Sequence, residues 1–244
     1  MLIGLPTRSY SQNASIFHKR MGAIRKACEK HVEFIFVDAP HILVPADLPG
    51  HALEWLQAAE ANATIGDANL TPRAWWKSNA ERSVCIGLTE SLLLLKTTLQ
   101  KTTYQGVMGF SQGAAMAAVL VAILERPQSY EEFMVDGQPV HPKLDFFISI
   151  SGFVPVDPFL ELIISPTTSK ITTPSLQVIG DNDVIVIPER SQHLISVCDK
   201  ESIRVERHEG GHFVPSKANW RNFFKEYLIN PGAQAQIPPP SETS

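Results

Sequence analysis

Tyr104-Gln105-Gly106-Val107-Met108-Gly109-Phe110-Ser111-Gln112-Gly113-Ala114-Ala115-Met116-Ala117-Ala118-Val119-Leu120-Val121-Ala122-Ile123-Leu124-Glu125 is the stretch that decides the fold of this 244-residue chain. Tyr104 to Phe110 has the composition of a short buried strand. Gln112 to Glu125 is nearly all apolar and long enough for a helix, and Pro127 closes it. Between the two, Gly109-Phe110-Ser111-Gln112-Gly113 matches G-x-S-x-G, the sharp strand-to-helix elbow that exposes a serine hydroxyl above an α/β-hydrolase sheet. The glycines are needed because the turn is too tight for neighbouring side chains. The helix N-terminus offers partial positive charge to a developing oxyanion, and the Gln112 N–H is a candidate donor to it. A serine here could instead merely cap the helix, but a cap requires neither flanking glycines nor a strand directly upstream. Ser111 is the candidate nucleophile.

Outward from the elbow the chain alternates strands and helices. Val32 to Val37, Leu144 to Ser151, Ser175 to Gly180 and Ser202 to His208 read as further strands. Ile16 to Lys30, Pro188 to Val197 and Ser216 to Leu228 read as helices, the second opened by a proline at its first position. This alternation predicts an α/β fold, a mostly parallel sheet with helices on both faces. In such sheets ligands sit beyond the carboxyl ends of the strands. Residues 1–230 are expected to form a single α/β-hydrolase domain. Residues 38–82, long, proline-punctuated and carrying Trp55, Trp75 and Trp76, are expected to loop over the site, with a short helix at 53–61. Residues 231–244, with Pro238-Pro239-Pro240, have little to bury and are expected to be a disordered tail.

A triad on this fold runs serine, acid, histidine along the chain. The histidines after Ser111 are His141, His193, His208 and His212. His141 precedes a strand and His193 falls inside a helix, so both read as structural or surface residues. His212 is favoured over His208, because Gly210-Gly211-His212 follows the last strand as a loop that can project a side chain across the sheet edge. For the acid, Gly180-Asp181-Asn182-Asp183 follows the strand residues Ser175 to Ile179. Both aspartates have the chemistry of turn formers. Asp181 is read as the turn residue and Asp183 as the carboxylate that orients His212. Asp157 is a weaker candidate.

Composition excludes several other classes. With 44% hydrophobic residues and 19% charged, the chain is that of an ordinary globular domain. A net charge of −4 with no long basic run gives no nucleic-acid footprint. No apolar run approaches the length of a membrane span, and the N-terminus lacks a signal-peptide pattern, so the expected address is cytoplasmic. Cys28, Cys85 and Cys198 are odd in number and form no CxxC, which reads as buried free thiols in a reducing compartment. No cluster has metal-ligand spacing, so no metal and no cofactor are expected.

With these motifs in hand, the chain resembles the FSH serine hydrolases of fungi and animals. The likeness runs through Tyr10-Ser11-Gln12-Asn13-Ala14 with Ile16-Phe17, Gly22-Ala23-Ile24-Arg25-Lys26, Asp38-Ala39-Pro40-His41 and Arg73-Ala74-Trp75-Trp76. It continues through the elbow, Ser151-Gly152-Phe153, Gly180-Asp181-Asn182-Asp183 and Gly210-Gly211-His212-Phe213-Val214-Pro215. The resemblance implies the triad Ser111, Asp183 and His212 and a cofactor-free esterase or thioesterase acting on a small-molecule ester or thioester. It also implies Tyr10 as the second oxyanion donor, and a place near the site for Trp75 and Trp76, which line an acyl pocket or simply pack a core. The chain departs from the family in one place. Arg8-Ser9 stand where an apolar strand usually ends in His-Gly, just before Tyr10. Losing an oxyanion donor costs roughly 3 kcal/mol of transition-state stabilisation. Two alternatives to a general esterase stay open: the resemblance allows a thioesterase releasing acyl chains from a carrier protein by the same chemistry, and the departure at Arg8-Ser9 allows a non-catalytic binding protein on a hydrolase scaffold.

Overall fold

The computed structural model describes residues 2–5, 14–43, 72–81, 83–165, 169–231, with the side chains of residues 2–5 and 14–16 left undescribed. Tyr10, Arg8-Ser9, the helix expected at 53–61, most of the 38–82 loop and the tail beyond 231 lie outside the described residues.

Six strands form one sheet: β1 (Leu2–Leu5), β2 (Phe34–Phe36), β3 (Gly106–Phe110), β4 (Phe146–Ile150), β5 (Ser175–Gly180) and β6 (Ile203–His208). Their spatial order is β6-β5-β4-β3-β1-β2, and every pair is parallel. Parallel neighbours need crossovers, and here helices supply them: α1 (Ala14–Arg20), α2 (Gly22–Cys28), α3 (Leu88–Leu99), α4 (Gln112–Glu125), α5 (Pro158–Ile164), α6 (Pro188–Ser196) and α7 (Ala218–Ile229). The chain steps from β1 outward to β2, then returns to the other side of β1 with β3. The strand order therefore reverses between β1 and β3, and the carboxyl ends of those two strands frame the crevice where such folds bind ligands.

The sheet separates two cores because successive side chains on a strand face opposite ways. Val107 and Phe147 point into one core, with Leu92, Leu95 and Leu99 of α3, nearly all of α4, and Leu160 and Ile164 of α5. Met108, Phe110, Ile148, Ile150, Leu176 and Val178 point into the other, against Met21 and Ile24, and Trp220, Phe223 and Phe224 of α7. A strand buried on both faces is apolar along nearly its whole length, which is why β3 and β4 show no alternation in sequence, with Ser149 their one polar side chain. The three cysteines are buried and form no disulfide. Burial pushes the Cys28 thiol up to about 11 and the Cys198 thiol to about 12, so both stay protonated and unreactive near neutral pH.

The fold differs from the sequence reading at several elements. The single helix expected over Ile16 to Lys30 is two, α1 and α2, separated at Met21. The strand expected over Val32 to Val37 shortens to Phe34–Phe36, as edge strands do where only one neighbour supplies hydrogen bonds. Helix α3 was not expected, although Leu88, Leu92, Leu95 and Leu99 recur at helical spacing and are all buried. Helix α5 was not expected either. Its start carries a cap-plus-proline signal, Asp157-Pro158, so Asp157, the weaker carboxylate candidate, is the cap of this helix.

Candidate active site

Ser111 sits at the turn between β3 and α4 with φ 55° and ψ −120°. This strained backbone is what aims its hydroxyl away from both elements. The turn is pinned from both sides: the Ser111 N–H donates to Ile150 O of β4 at 2.8 Å, and the Ser111 carbonyl accepts from the Ala114 and Ala115 N–H groups at 3.0 Å. The side chain makes no capping bond to α4, so the hydroxyl is spent elsewhere. His212 Nε2 lies 3.0 Å from Ser111 Oγ.

His212 belongs to the loop between β6 and α7, and that loop is stitched to the one after β5. The Asp181 N–H donates to His208 O at 2.8 Å, and the Asn182 N–H to Gly210 O at 3.1 Å. The approach needs Gly180, where a Cβ would come within 2.6 Å of Gly211 O and 2.7 Å of Gly210 O. The stitching brings His212 Nδ1 to 2.7 Å from Asp183 Oδ2. A carboxylate only accepts, so Nδ1 carries the proton and Nε2 turns its lone pair to the Ser111 hydroxyl. The Phe110 ring lies against the imidazole, centroids 4.7 Å apart, and limits its rotation.

Asp183 is 2% exposed and has a full set of donors. Oδ1 accepts from the Ile185 and Val186 N–H groups at 2.9 and 2.8 Å. Oδ2 accepts from His212 and, at 2.8 Å, from the Ser151 hydroxyl. Burial alone raises the proton affinity of this carboxyl. The bonds from His212, Val186 and Ser151, with the imidazolium charge, outweigh burial and hold it below the usual carboxylate range.

The other candidates sit apart from this chain of contacts. His208, at the end of β6, packs between Phe213 and Trp220, and its Nδ1 accepts the Gly210 N–H at 3.2 Å. His141 is buried, its Nε2 accepting the Tyr104 N–H at 2.8 Å while Nδ1 donates to Pro142 O. His193 is exposed on α6. Asp181 is paired with Arg207 at 2.6 Å near the surface.

Asp157 caps α5 through Oδ1, accepting from the Phe159 and Leu160 N–H groups, while Oδ2 accepts the Cys85 N–H at 2.7 Å. Asp157→Ala is expected to lower stability by about 1–2 kcal/mol through the lost cap and to leave ester hydrolysis at the parent rate. Thermal unfolding beside a rate assay checks both halves.

Trp75 and Trp76 lie in the larger core, 0% and 3% exposed, with the Trp76 ring edge-on to Phe153. Their backbone is held by the residue after Ser111. Gln112 Oε1 accepts the Trp75 N–H at 2.9 Å and Gln112 Nε2 donates to Trp76 O at 3.0 Å. This use of the Gln112 side chain, and that of Ser151, were not read from sequence; both join residues more than 30 positions apart. Among the described residues no group of His, Cys, Asp and Glu gathers as metal ligands would, and no helix is long and apolar enough to cross a membrane.

The model of the serine hydrolase family FSH1 matches residues 7–224. The chain is 31% identical to the human protein named Esterase OVCA2, and 30% identical to that of Danio rerio; each match covers 90% of this chain and 92% of the relative. Among solved structures it resembles Arabidopsis thaliana SOBER1, at a TM-score of 0.54 and 14% identity over 93% of this chain and 96% of the other, a likeness of fold. The family match takes in β2 to β6, the elbow and the loops that carry Asp183 and His212, and on that extent the chain belongs to the FSH1 family of serine hydrolases, with the α/β-hydrolase fold.

Proposed function

We propose that this protein hydrolyses carboxylic esters through an acyl-enzyme, with Ser111 as nucleophile, His212 as general base and then acid, and Asp183 as the group that orients His212. One observation carries the reading: an unbroken run of contacts from Ser111 Oγ to His212 Nε2 at 3.0 Å and from His212 Nδ1 to Asp183 Oδ2 at 2.7 Å. It lies at the carboxyl ends of parallel strands in a member of a serine hydrolase family whose relatives are named esterases.

In the first step Ser111 Oγ attacks the ester carbonyl carbon while its proton passes to His212 Nε2. The carbonyl π electrons move onto oxygen, and the resulting oxyanion takes the Gln112 N–H at the positive end of α4. The second donor is assigned to Tyr10 on the family likeness alone. Collapse of the intermediate breaks the bond to the alcohol oxygen, which leaves with the proton held on His212. Water then repeats the sequence: its oxygen bonds the acyl carbon as His212 takes its proton, the acyl–Ser111 bond breaks, Ser111 Oγ takes that proton back from His212, and the free acid departs. Asp183 stays ionised throughout and stabilises the transient imidazolium.

The same groups act on a thioester, whose leaving thiolate needs less protonation. The test uses an active-site-directed fluorophosphonate probe together with short p-nitrophenyl esters and the matching thioesters. Labelling at Ser111 and ester turnover are expected. An intact protein that takes up no probe and cleaves neither substrate refutes the enzyme reading and leaves the binding scaffold. Thioester cleavage well above ester cleavage moves the substrate class to thioesters.

A further inference from the structure

Among the described residues three that are not glycine adopt a positive φ: Ser111 at 55°, Asp136 at 50° and Ser151 at 48°. Asp136 has an ordinary explanation. With Gly137 it forms the two-residue turn between Met134–Val135 and Gln138–Pro139, a hairpin that demands positive φ at both positions. Ser111 is the elbow. Ser151 is in neither class. It follows the last residue of β4 directly, its N–H is bonded to Val178 O at 2.9 Å, and it is 1% exposed. A glycine would take this backbone without strain, and one stands at the next position. The side chain found there instead donates to Asp183 Oδ2 at 2.8 Å.

We propose that Ser151 is a positioning residue for acyl transfer, whose hydroxyl fixes the Asp183 carboxylate and shares the charge of the oxygen that faces His212. This rests on the triad reading above. The Ile185 and Val186 N–H groups hold Oδ1, and without Ser151 the oxygen beside His212 keeps one donor and one unfilled lone pair in a buried site. A hydroxyl bonded to that oxygen favours its ionised form and keeps it available as the acceptor for the Nδ1 proton. It also keeps the carboxylate from rotating out of line with Nδ1. The other titratable groups near this pair are His208, whose burial holds its pKa down against the pull of Asp181 and Asp183, and Asp181, held by Arg207. A substitution at Ser151 leaves all three in place, so a comparison with the parent isolates the hydroxyl.

The experiment measures kcat and KM for a p-nitrophenyl ester against pH in Ser151→Ala, Ser151→Gly and, in parallel, Asp183→Asn. Both Ser151 variants are expected to lose about tenfold in kcat with KM within about twofold. Both are expected to move the acid limb of the kcat/KM profile to higher pH, because Asp183 then loses one of the bonds that hold it ionised and takes up its proton at higher pH. Alanine keeps the strained φ and glycine relieves it, so the two differ in Tm while sharing the kinetic change; should alanine fail to fold, glycine carries the test alone. Parent kcat and an unmoved acid limb in both variants overturn the proposal, as does a defect confined to alanine, which marks a backbone effect. If Asp183→Asn is inactive while the Ser151 variants match the parent, the proposal alone fails. If Asp183→Asn keeps parent activity, the triad reading fails first.

Discussion

Ser111→Ala is expected to lower kcat for a short ester by about 10⁵- to 10⁶-fold while leaving the melting temperature within a degree or two of the parent. The size of the loss follows from the role: without Oγ there is no covalent acceptor, and His212 and the oxyanion donors retain only modest catalysis of direct water attack. The retained fold follows from the contacts. The bonds that hold the elbow run through the backbone of residue 111, to Ile150, Ala114 and Ala115. The hydroxyl contacts His212 and does not cap α4. Alanine meets the same strain at φ 55° that serine does, so nothing is gained or lost there. Asp183→Asn has a different signature. An amide that turns its NH₂ toward His212 Nδ1 favours the wrong tautomer and presents a protonated Nε2 to Ser111, a loss of about 10⁴-fold in kcat by that route. Fluorophosphonate labelling separates the two: absent in Ser111→Ala, slowed in Asp183→Asn. Full activity in Ser111→Ala would remove the nucleophile from the proposal.

These expectations could be framed from sequence because the elbow is a local device. Strand, turn and helix follow one another within residues 104–125, and the helix read from sequence, Gln112 to Glu125, has the same bounds in the structure. Strand β5 likewise keeps the bounds expected of it. That His212 and Asp183 would come near the elbow could be expected because each follows a strand, and strand ends are where a parallel sheet gathers its polar groups. What stayed hidden is long-range. That the Ser151 hydroxyl meets Asp183, or that the Gln112 amide clamps Trp75 and Trp76, depends on how β4 and β5 pair and on where the 72–81 segment returns, and no periodicity encodes either. The unforeseen helices have another cause. In α3 the leucine block Leu92–Leu95 obscures the wider spacing of its buried face, and α5, only seven residues long, is too short for a period to show.

The second large effect is expected from one added methyl group. Gly109→Ala should cost about 3 kcal/mol or more, lowering the melting temperature by roughly 6–12 °C for a chain of this size. A Cβ at Gly109 would stand 2.2 Å from Gly113 O, 2.4 Å from Gly113 C and 2.5 Å from Ala114 N. All three are backbone atoms of the first turn of α4, so no side chain can swing aside. Nor can either element yield easily. β3 is bonded on one edge to β1 and on the other to β4, with Gly109 opposite Leu5 and Ser149. Every residue of α4 from Gln112 to Leu124 is buried, so lifting the helix opens the core along its length. Any shift that does occur displaces Ser111 relative to His212, and an error of 1 Å at such a contact costs about 10²-fold in rate. Gly22→Ala is the matching control: the same methyl at the first residue of α2 meets nothing within 4 Å and is expected to be neutral or to stabilise by about 0.5 kcal/mol. Thermal unfolding of the two variants beside the parent measures the difference. A Gly109→Ala protein that melts with the parent would mean that β3 and α4 do not approach as closely as the elbow requires, and the strained geometry assigned to Ser111 would lose its cause.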